Sequence, residues 1–441
     1  MTSLTATRDS TRPAFAGLRR AAARSGLVIL ATLIVIVALS RWEESFEAEI
    51  DRLDGQSEPG VFEDYVVFYA AGSLVLDGDG DKLYDIEALR SAEYDALGRF
   101  VNEGVLVYLN PPFVAALYAP LALLPIVVAG LVIYLLVCVS VVAGGLLTKR
   151  FLGLNETRQS RLFWFGFLTL GPMSWMAAEG QFSMLLYLGW FGFAVAQASG
   201  RQRLSGACLA LLLIKPHMAL IPVALLLWQR RWQSLSAFGT IAVLFVAASI
   251  IISGPQVLVD YPRFLMETSS WDHQWGIHLT SMYGWNGPVA IIFGSNHAAT
   301  TVLPMVLSLL TLGAFARAAR YSWQPGQPAF YRLMAAAVLA TLLISPHLYL
   351  QDLSLVALAI AFAAKASLIE TGTLGRWPLV FGAAWLTQLY ARRLVLELSL
   401  NLPTPLMAII LIALIVSLLR REGASSRLEA SEDPLQLAPA A

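Results

Sequence analysis

The sequence predicts an all-α membrane protein, a polytopic bundle of about twelve transmembrane helices. Only 14% of its 441 residues are charged and 57% are hydrophobic, whereas a typical soluble domain is about 25% charged. Apolar runs recur along the chain, and a helix of about 20 such residues crosses the hydrocarbon core of a bilayer. Short basic clusters stand at the ends of these runs, as is usual in cytoplasmic loops. Most of the chain is therefore expected to lie in the membrane.

The first apolar run, residues 27–40, follows a group of arginines between residues 19 and 24. No small-residue cleavage site comes after it, so we predict that it stays as the first membrane span and is not removed as a signal peptide. The arginines before it place the N-terminal segment 1–25 in the cytoplasm. The acidic stretch 41–112 then becomes a large first outer loop, in which short juxtamembrane helices are expected.

Further apolar segments alternate across the membrane from this starting orientation. In chain order they are 126–148, 162–178, 183–199, 204–228, 237–252, 300–316, 333–345, 354–369, 378–390 and 404–419. A second outer segment, 254–298, divides the series. The polar tail 421–441 is expected to be disordered in the cytoplasm. The predicted membrane domain thus covers residues 26–420.

Residues 204–228 differ from the other runs because arginines stand at both of its ends. Lys215 and Pro216 interrupt its centre, and a proline inside a helix removes a backbone hydrogen bond. Two half-depth helices that meet at this proline keep both basic ends on the cytoplasmic side, which a single span would not do. The sequence therefore favours a broken helical pair here.

Arg392 and Arg393 do not follow the charge rule, because the same count of spans places them outside. Two explanations are open. Either the count is wrong by one span between residues 378 and 405, or these cations face the outer leaflet for a functional reason.

Composition also argues against several classes of site. The net charge is zero and no large basic patch occurs, which argues against nucleic-acid binding. Cys138 and Cys208 lie inside hydrophobic runs and are interpreted as small apolar side chains. His273 and His278 lack a third ligand at a regular spacing, so a zinc site is not expected. No glycine-rich phosphate loop follows a strand pattern. We therefore predict neither a metal nor another cofactor.

The remaining polar motifs cluster at the outer ends of the predicted spans, where reacting groups meet water. In chain order they are Asp64, Phe-Tyr-Ala-Ala-Gly at 68–72, Leu-Tyr-Asp at 83–85, Pro111-Pro112, Pro-Leu-Ala-Leu-Leu-Pro at 120–125, Glu179-Gly180-Gln181, Lys215-Pro216 and Ser345-Pro346-His347 continuing to Asp352. In order and spacing this set resembles glycosyltransferase family 87. The best-known members of that family are polyprenyl-phosphate-mannose-dependent α-mannosyltransferases.

The resemblance implies a GT-C fold and a membrane glycosyltransferase. The expected reaction moves a hexose, mannose in the best-known members, from a polyprenyl-phosphate donor to a lipid or glycan acceptor, with inversion. The expected location is the periplasmic face of a bacterial inner membrane, where the protein would act as a monomer among membrane lipids. After Ser345-Pro346 the mycobacterial members of the family share a Trp-Asp-His-His element, where this sequence has His-Leu-Tyr-Leu-Gln-Asp. The acceptor and the sugar therefore stay open.

The resemblance also assigns roles. Asp64 corresponds to the aspartate in the first outer loop of GT-C enzymes, and a carboxylate there can take the proton of an acceptor hydroxyl as general base. An anionic leaving group needs cations or hydrogen-bond donors near it. The candidates for binding the donor phosphate or sugar are His347, Lys215, Arg392 and Arg393. The other candidates for the site are Glu63, Tyr69, Glu179, Gln181, Tyr349 and Asp352.

The alternative function is a transporter or flippase of a lipid-linked precursor, which would share the apolar bundle and the broken helices. A transporter is expected to show two repeated halves and ionisable groups near mid-membrane. This chain shows no such repeat, and its polar motifs gather at one face. The sequence therefore favours the enzyme.

Overall fold

In a computed structural model the described residues are 63–98, 100, 105–268, 271–272, 277–294, 298–320 and 322–431, with only the backbone of Glu63 and of residues 421–431. The predicted first span and the N-terminal segment 1–25 lie outside them. The helices of the described residues are α1 (Glu63–Leu76), α2 (Ile86–Leu97), α3 (Pro112–Ala122), α4 (Ile126–Leu152), α5 (Thr157–Leu168), α6 (Gly171–Ala178), α7 (Ser183–Ala198), α8 (Gln202–Ala210), α9 (Leu220–Trp228), α10 (Trp232–Ser253), α11 (Val257–Thr268), α12 (Asn286–Phe293), α13 (Ala298–Ala319), α14 (Pro328–Ile344), α15 (Ser354–Thr371), α16 (Trp377–Leu389), α17 (Ala391–Leu398) and α18 (Pro403–Ser431). Short 3-10 helices lie at Gly80–Lys82, Leu211–Ile214, Pro216–Ala219, Leu279–Ser281 and Leu350–Leu353.

The described residues form a helical bundle, in agreement with the predicted all-α membrane fold. Five segments are long and apolar enough to cross a membrane, and each falls on a predicted span: Ile126–Leu152, Trp232–Ser253, Ala298–Ala319, Leu350–Thr371 and Pro403–Arg420. Shorter apolar helices, among them α7 and α14, occupy further predicted spans. The total of about twelve spans remains a prediction.

Burial separates central helices from peripheral ones. In the apolar window of Leu350–Thr371, which includes α15, 78% of the residues are buried, whereas 6% are buried in that of α10. The neighbouring α14 is buried almost throughout its length. Arg332 of α14 forms a two-pronged ion pair with Glu370 of α15 near the ends of these helices. Helices α14 and α15 therefore form the centre of the bundle, and α10 exposes its apolar side chains at the periphery.

The predicted break at Lys215 is present. Lys215 leaves the helical conformation with φ −131° and ψ 85°. A Cβ atom on Gly206 of α8 would lie 2.0 Å from the carbonyl oxygen of Ser234 in α10. The middle of α8 thus touches the start of α10, which follows α9 after a short turn. Both ends of the pair therefore lie at the same end of the bundle, as two half-depth helices require.

The predicted single span 162–178 is wrong, because the chain breaks there into α5 and α6. Leu170 is extended, with φ −66° and ψ 123°, and Pro172 stands in the first turn of α6. Proline is accommodated in the first turn of a helix but not in its interior.

At the C-terminal end of the chain, α18 continues to Ser431, so the backbone of residues 421–431 is helical. Residues 432–441 lie outside the described part.

Candidate active site

Packing against α3 positions α1 and, with it, Asp64 in its first turn. Phe68 of α1 stacks on Tyr118 of α3, with ring centroids 4.7 Å apart. At Gly72 the two helices meet closely, since a Cβ atom there would lie 2.8 Å from the carbonyl carbon of Tyr118. Glycine permits this approach. The Phe-Tyr-Ala-Ala-Gly motif therefore serves to hold α1 against α3.

The carboxylate of Asp64 is held by two amides from distant parts of the chain. The Gln181 side chain donates a hydrogen bond to Oδ2 of Asp64. Nε2 of Gln351 lies 3.4 Å from the same oxygen. The backbone N–H of Asp64 points to Oε2 of Glu179, 3.4 Å away. Glu179 and Gln181 are both largely buried, so these contacts define the orientation of the carboxylate.

Gly180 forms the turn that brings Glu179 and Gln181 to Asp64. Its φ of +61° is in the left-handed region, which residues other than glycine adopt only at a cost in conformational energy. A Cβ atom would also lie 3.0 Å from Cβ of Tyr65 and 3.1 Å from Cγ2 of Ile133. The Glu-Gly-Gln motif therefore needs glycine for both its conformation and its packing.

A second polar group surrounds the break in the helical pair. Nζ of Lys215 lies 2.8 and 2.7 Å from the two carboxylate oxygens of Asp352, and the Ser183 hydroxyl donates to Asp352 at 2.9 Å. Asn110 donates to the carbonyl oxygen of Ile214 at 2.8 Å. The break frees backbone carbonyls, and Asn110, just before Pro111-Pro112, satisfies one of them.

Two histidines lie beside this group. Nε2 of His217 is 3.1 Å from the hydroxyl oxygen of Ser345. Nδ1 of His347 is buried and has no hydrogen-bond partner within the described residues. Burial, together with repulsion from Lys215, lowers the pKa of His347 to about 4. His347 is therefore neutral at neutral pH and acts as a hydrogen-bonding group and not as a cation.

Asp64 lies on the walls of two cavities. The first, the Arg392 cavity, has a volume of about 180 Å³ and is also lined by Glu179, Trp175 and Gln351. The second, the Lys215 cavity, has a volume of about 100 Å³ and is also lined by Asn110, Gln181, Lys215, His217, Tyr261 and His347. Tyr349 contributes to both. Asp64 thus stands where two neighbouring spaces meet.

Arg392 lies at the start of α17, on the same cavity as Asp64. Its guanidinium is 4.8 Å from the centre of the Trp175 ring, a distance at which a cation is attracted to the face of an aromatic ring. The side chain forms no ion pair with a carboxylate in the described part of the chain. The sequence left two explanations for Arg392 and Arg393, a miscounted span or cations that face the outer side. The position of Arg392 agrees with the second, because this side chain lies at the end of the bundle where Asp64 lies.

Other predicted candidates lie away from the cavities. Arg393 is exposed and lines neither cavity. The hydroxyl of Tyr69 donates to the carbonyl oxygen of Leu124 at 2.8 Å, so Tyr69 anchors α1 outside both cavities. Asp352 is fully buried and reaches the site through Lys215. The side chain of Glu63 lies outside the described residues.

The structure adds cavity residues that the motifs do not identify, notably Trp175, His278 and Tyr261. Trp175 of α6 precedes Glu179, the residue that caps the end of this helix, by four positions. That spacing places both side chains on one face, so the sequence contains a signal for Trp175. His278 and Tyr261 belong to the second outer segment, and folding alone brings them to Asp64.

Comparison with known proteins agrees with these motifs. The profile of glycosyltransferase family 87 matches residues 108–346, more than half of the chain. The match includes Asn110, Glu179 to Gln181 and Lys215, begins after Asp64 and ends just before His347. No curated protein and no solved structure matches the chain. The chain is therefore a member of glycosyltransferase family 87, a membrane glycosyltransferase whose helical bundle joins these polar motifs in one site.

Proposed function

We propose that the protein transfers a hexose from a polyprenyl-phosphate sugar to an acceptor hydroxyl at the periplasmic face of the membrane, with Asp64 as general base. The observation that supports this most strongly is the position of Asp64 on the shared wall of two cavities. A transferase must bring the acceptor hydroxyl into contact with the anomeric carbon of the donor, with the group that takes the proton beside that hydroxyl. Two adjoining spaces that meet at one carboxylate can hold the two substrates in this way.

The chemistry assigned to the site is a direct displacement. The acceptor O–H gives its proton to the Asp64 carboxylate as its oxygen forms a bond to the anomeric carbon. The bond from that carbon to the phosphate oxygen breaks, and its electron pair leaves with the polyprenyl phosphate. A single displacement inverts the anomeric centre, so a β-linked donor, with mannose as the proposed sugar, gives an α-linked product. Gln181 and Gln351 hold the carboxylate in place throughout.

Charge favours Arg392 over Lys215 as the main ligand of the donor phosphate. Both oxygens of Asp352 already compensate the Lys215 ammonium, whereas Arg392 has no such carboxylate in the described residues. A guanidinium binds phosphate oxygens in a two-pronged arrangement. Neutral His347 would add a hydrogen bond to the donor from the Lys215 cavity. The acceptor is a lipid or a glycan that presents a free hydroxyl.

The experiment that tests the function is incubation of the purified protein in detergent with a polyprenyl-phosphate hexose and a membrane lipid extract. Mass spectrometry is expected to find an acceptor whose mass has increased by one hexose, together with free polyprenyl phosphate. A transporter or flippase would leave the masses of the acceptor and of the polyprenyl-phosphate hexose unchanged in detergent. Absence of any hexosylated product with a range of donor sugars and acceptors would contradict the proposal.

Replacing Arg392 by glutamine is expected to weaken donor binding by about 10–100-fold, because a hydrogen bond to a charged group contributes roughly 1.5–3 kcal/mol. Donor affinity is measured by calorimetry with a polyprenyl-phosphate sugar. Arg393→Gln is the matched control, since it removes the same charge from the next residue but leaves both cavities intact. Equal losses in the two variants would contradict a specific role for Arg392.

Transfer is expected to fall at acidic pH through the titration of Asp64. Burial raises the pKa of Asp64 above its ordinary value of 3.8, and Asp352 acts in the same direction, whereas Lys215 and the Gln181 hydrogen bond oppose the rise. Only the ionised carboxylate takes a proton, so the rate decreases as the pH falls through this raised pKa. The acid limb of turnover against pH should therefore lie above 3.8. If the residual activity of Asp64→Asn decreased at acidic pH in the same way, Asp64 would not be the group whose titration limits turnover.

A further inference from the structure

A third cavity lies between α4, α5, α7, α15 and α16, apart from Asp64, and is called the inner cavity here. Its volume is about 350 Å³ and most of its wall is hydrocarbon, including Phe163, Phe167 and Ile360. The hydroxyls of Thr148 and Tyr187 in the wall bind each other at 2.6 Å. A buried water needs two to four polar partners, whereas apolar cavities of about 150 Å³ bind hydrocarbon. The inner cavity is therefore suited to a hydrocarbon chain.

Contacts between α5 and α16 close this cavity on the side toward Asp64. A Cβ atom on Gly166 would lie 2.8 Å from Cε1 of Phe381. Beyond that contact, the indole N–H of Trp385 donates to the hydroxyl and the carbonyl oxygen of Thr169, at 2.9 and 3.1 Å. On the side away from Asp64, the wall of the inner cavity continues to Gln159 and Leu374. The cavity thus extends toward the α4–α5 and α15–α16 turns.

Those turns lie at the end of the bundle opposite the active site. Helix α4 begins beside α1, where the Tyr65 hydroxyl donates to the carbonyl oxygen of Ile126, and it runs to Leu152. Helix α15 begins next to Asp352 and runs to Thr371. The inner cavity is lined by the end of α4, at Thr148 and Leu152, and by the first and middle turns of α15, from Ala357 to Ala364, so it extends from within the bundle toward that far end. The charge pattern predicts this end to be cytoplasmic.

Three exposed arginines are next in sequence to residues that line the cavity at this end, and they do not themselves form its wall. Arg158 precedes Gln159, Arg161 precedes Leu162, and Arg376 lies between the lining residues Leu374 and Trp377. The Arg376 side chain also lines a separate cavity that α16 forms with α18. None of the three forms an ion pair with a carboxylate in the described part of the chain. The positive-inside rule accounts for basic loops, but it does not account for a hydrocarbon-lined cavity that extends to the same end of the bundle.

We propose that the inner cavity binds one acyl chain of an anionic phospholipid from the cytoplasmic leaflet, with Arg158, Arg161 and Arg376 holding its phosphate. Basic pockets between transmembrane helices on the cytoplasmic side are suited to anionic lipid head groups, and arginine binds phosphate oxygens in a two-pronged manner. The acyl chain would pack against α7, which begins at Ser183, and against α15, which begins two residues after Asp352. Ser183 and Asp352 are hydrogen-bonded to each other. The bound lipid would support those two helices from the side opposite the substrates.

Native mass spectrometry of the full-length protein tests this, with titration by dioleoyl phosphatidylglycerol or dioleoyl phosphatidylcholine. The wild-type protein is expected to retain one phosphatidylglycerol in preference to phosphatidylcholine. The variant Arg158→Gln/Arg161→Gln/Arg376→Gln is expected to bind that lipid about tenfold more weakly or worse. The matched control Arg201→Gln/Arg203→Gln removes two exposed arginines from the predicted cytoplasmic side, away from the cavity lining, and is expected to bind like the wild type.

A second variant tests the acyl chain separately from the head group. Ala361 lines the inner cavity and is 4% exposed, so the ring of Ala361→Phe would occupy the cavity. This variant is expected to lose the preferential binding although its arginines remain. Equal affinity for the two lipids, unchanged affinity in the triple variant, or an equal loss in the Arg201/Arg203 control would overturn the proposal. So would displacement of the phosphatidylglycerol by an equimolar amount of polyprenyl phosphate, which would assign the cavity to the donor lipid.

Discussion

Replacing Asp64 by asparagine is expected to lower the rate of sugar transfer by about 10²–10⁴-fold and to leave donor affinity unchanged. The amide keeps the shape of the side chain and still accepts the hydrogen bond from Gln181. It cannot take the proton of the acceptor hydroxyl, so the loss should appear in turnover. Mass spectrometry of the product measures turnover, and calorimetry with the polyprenyl-phosphate sugar measures donor affinity.

The matched control for this variant is Asp77→Asn. Asp77 is an exposed acid at the end of α1 and lines neither cavity, so its turnover should equal that of the wild type. Near wild-type turnover in Asp64→Asn would contradict the role of general base. Parallel losses of turnover and donor affinity would instead indicate that Asp64 holds the donor, which also contradicts that role.

Replacing Asp352 by leucine is expected to destabilise the protein by about 3–5 kcal/mol, because it leaves the Lys215 ammonium largely buried without its counter-charge. Asp352 is 0% exposed and the Lys215 side chain is 16% exposed. The pair also joins the broken helical pair to the start of α15. Thermal unfolding in detergent, followed by circular dichroism, measures the loss as a lower midpoint.

The double variant Lys215→Met/Asp352→Leu is expected to recover most of that stability, because an apolar pair of similar volume often substitutes for a buried ion pair. It should not recover turnover if Lys215 contributes to the site. Lys82→Met is the control, since Lys82 and Asp79 form an exposed pair, and such pairs contribute about 0–1 kcal/mol. A wild-type midpoint in Asp352→Leu, or a double variant as unstable as the single one, would contradict this account.

Several features of the site follow from local sequence. A lysine followed by proline between two basic ends indicates the broken pair, because the missing N–H and the charge rule act within a few residues. Glu179, Gly180 and Gln181 form a turn motif whose glycine has the left-handed conformation. Asp64, in contrast, was predicted from the resemblance to GT-C enzymes, which its position and neighbours match, and it lines two cavities. Its catalytic role stays a prediction.

Other features of the structure could not be predicted from the sequence. Tyr69 belongs to the same motif as Phe68, yet its hydroxyl binds Leu124 and lies outside both cavities, because neighbouring residues on a helix point in different directions. The break between α5 and α6 was missed because residues 162–178 were predicted as one continuous span that included Pro172. In the structure this proline stands in the first turn of α6, where a helix accommodates it.

The sequence by itself determined the membrane class, the family and most of the polar motifs, because hydropathy, charge bias and motif order are properties of neighbouring residues. Only the tertiary structure decided which motifs meet. It places Arg392 on the cavity that Asp64 lines and joins Lys215 to Asp352, 137 residues away along the chain. It also leaves a hydrocarbon-lined cavity between α4, α5, α7, α15 and α16. Such contacts depend on how the helices pack, and packing is set by side chains distant in sequence.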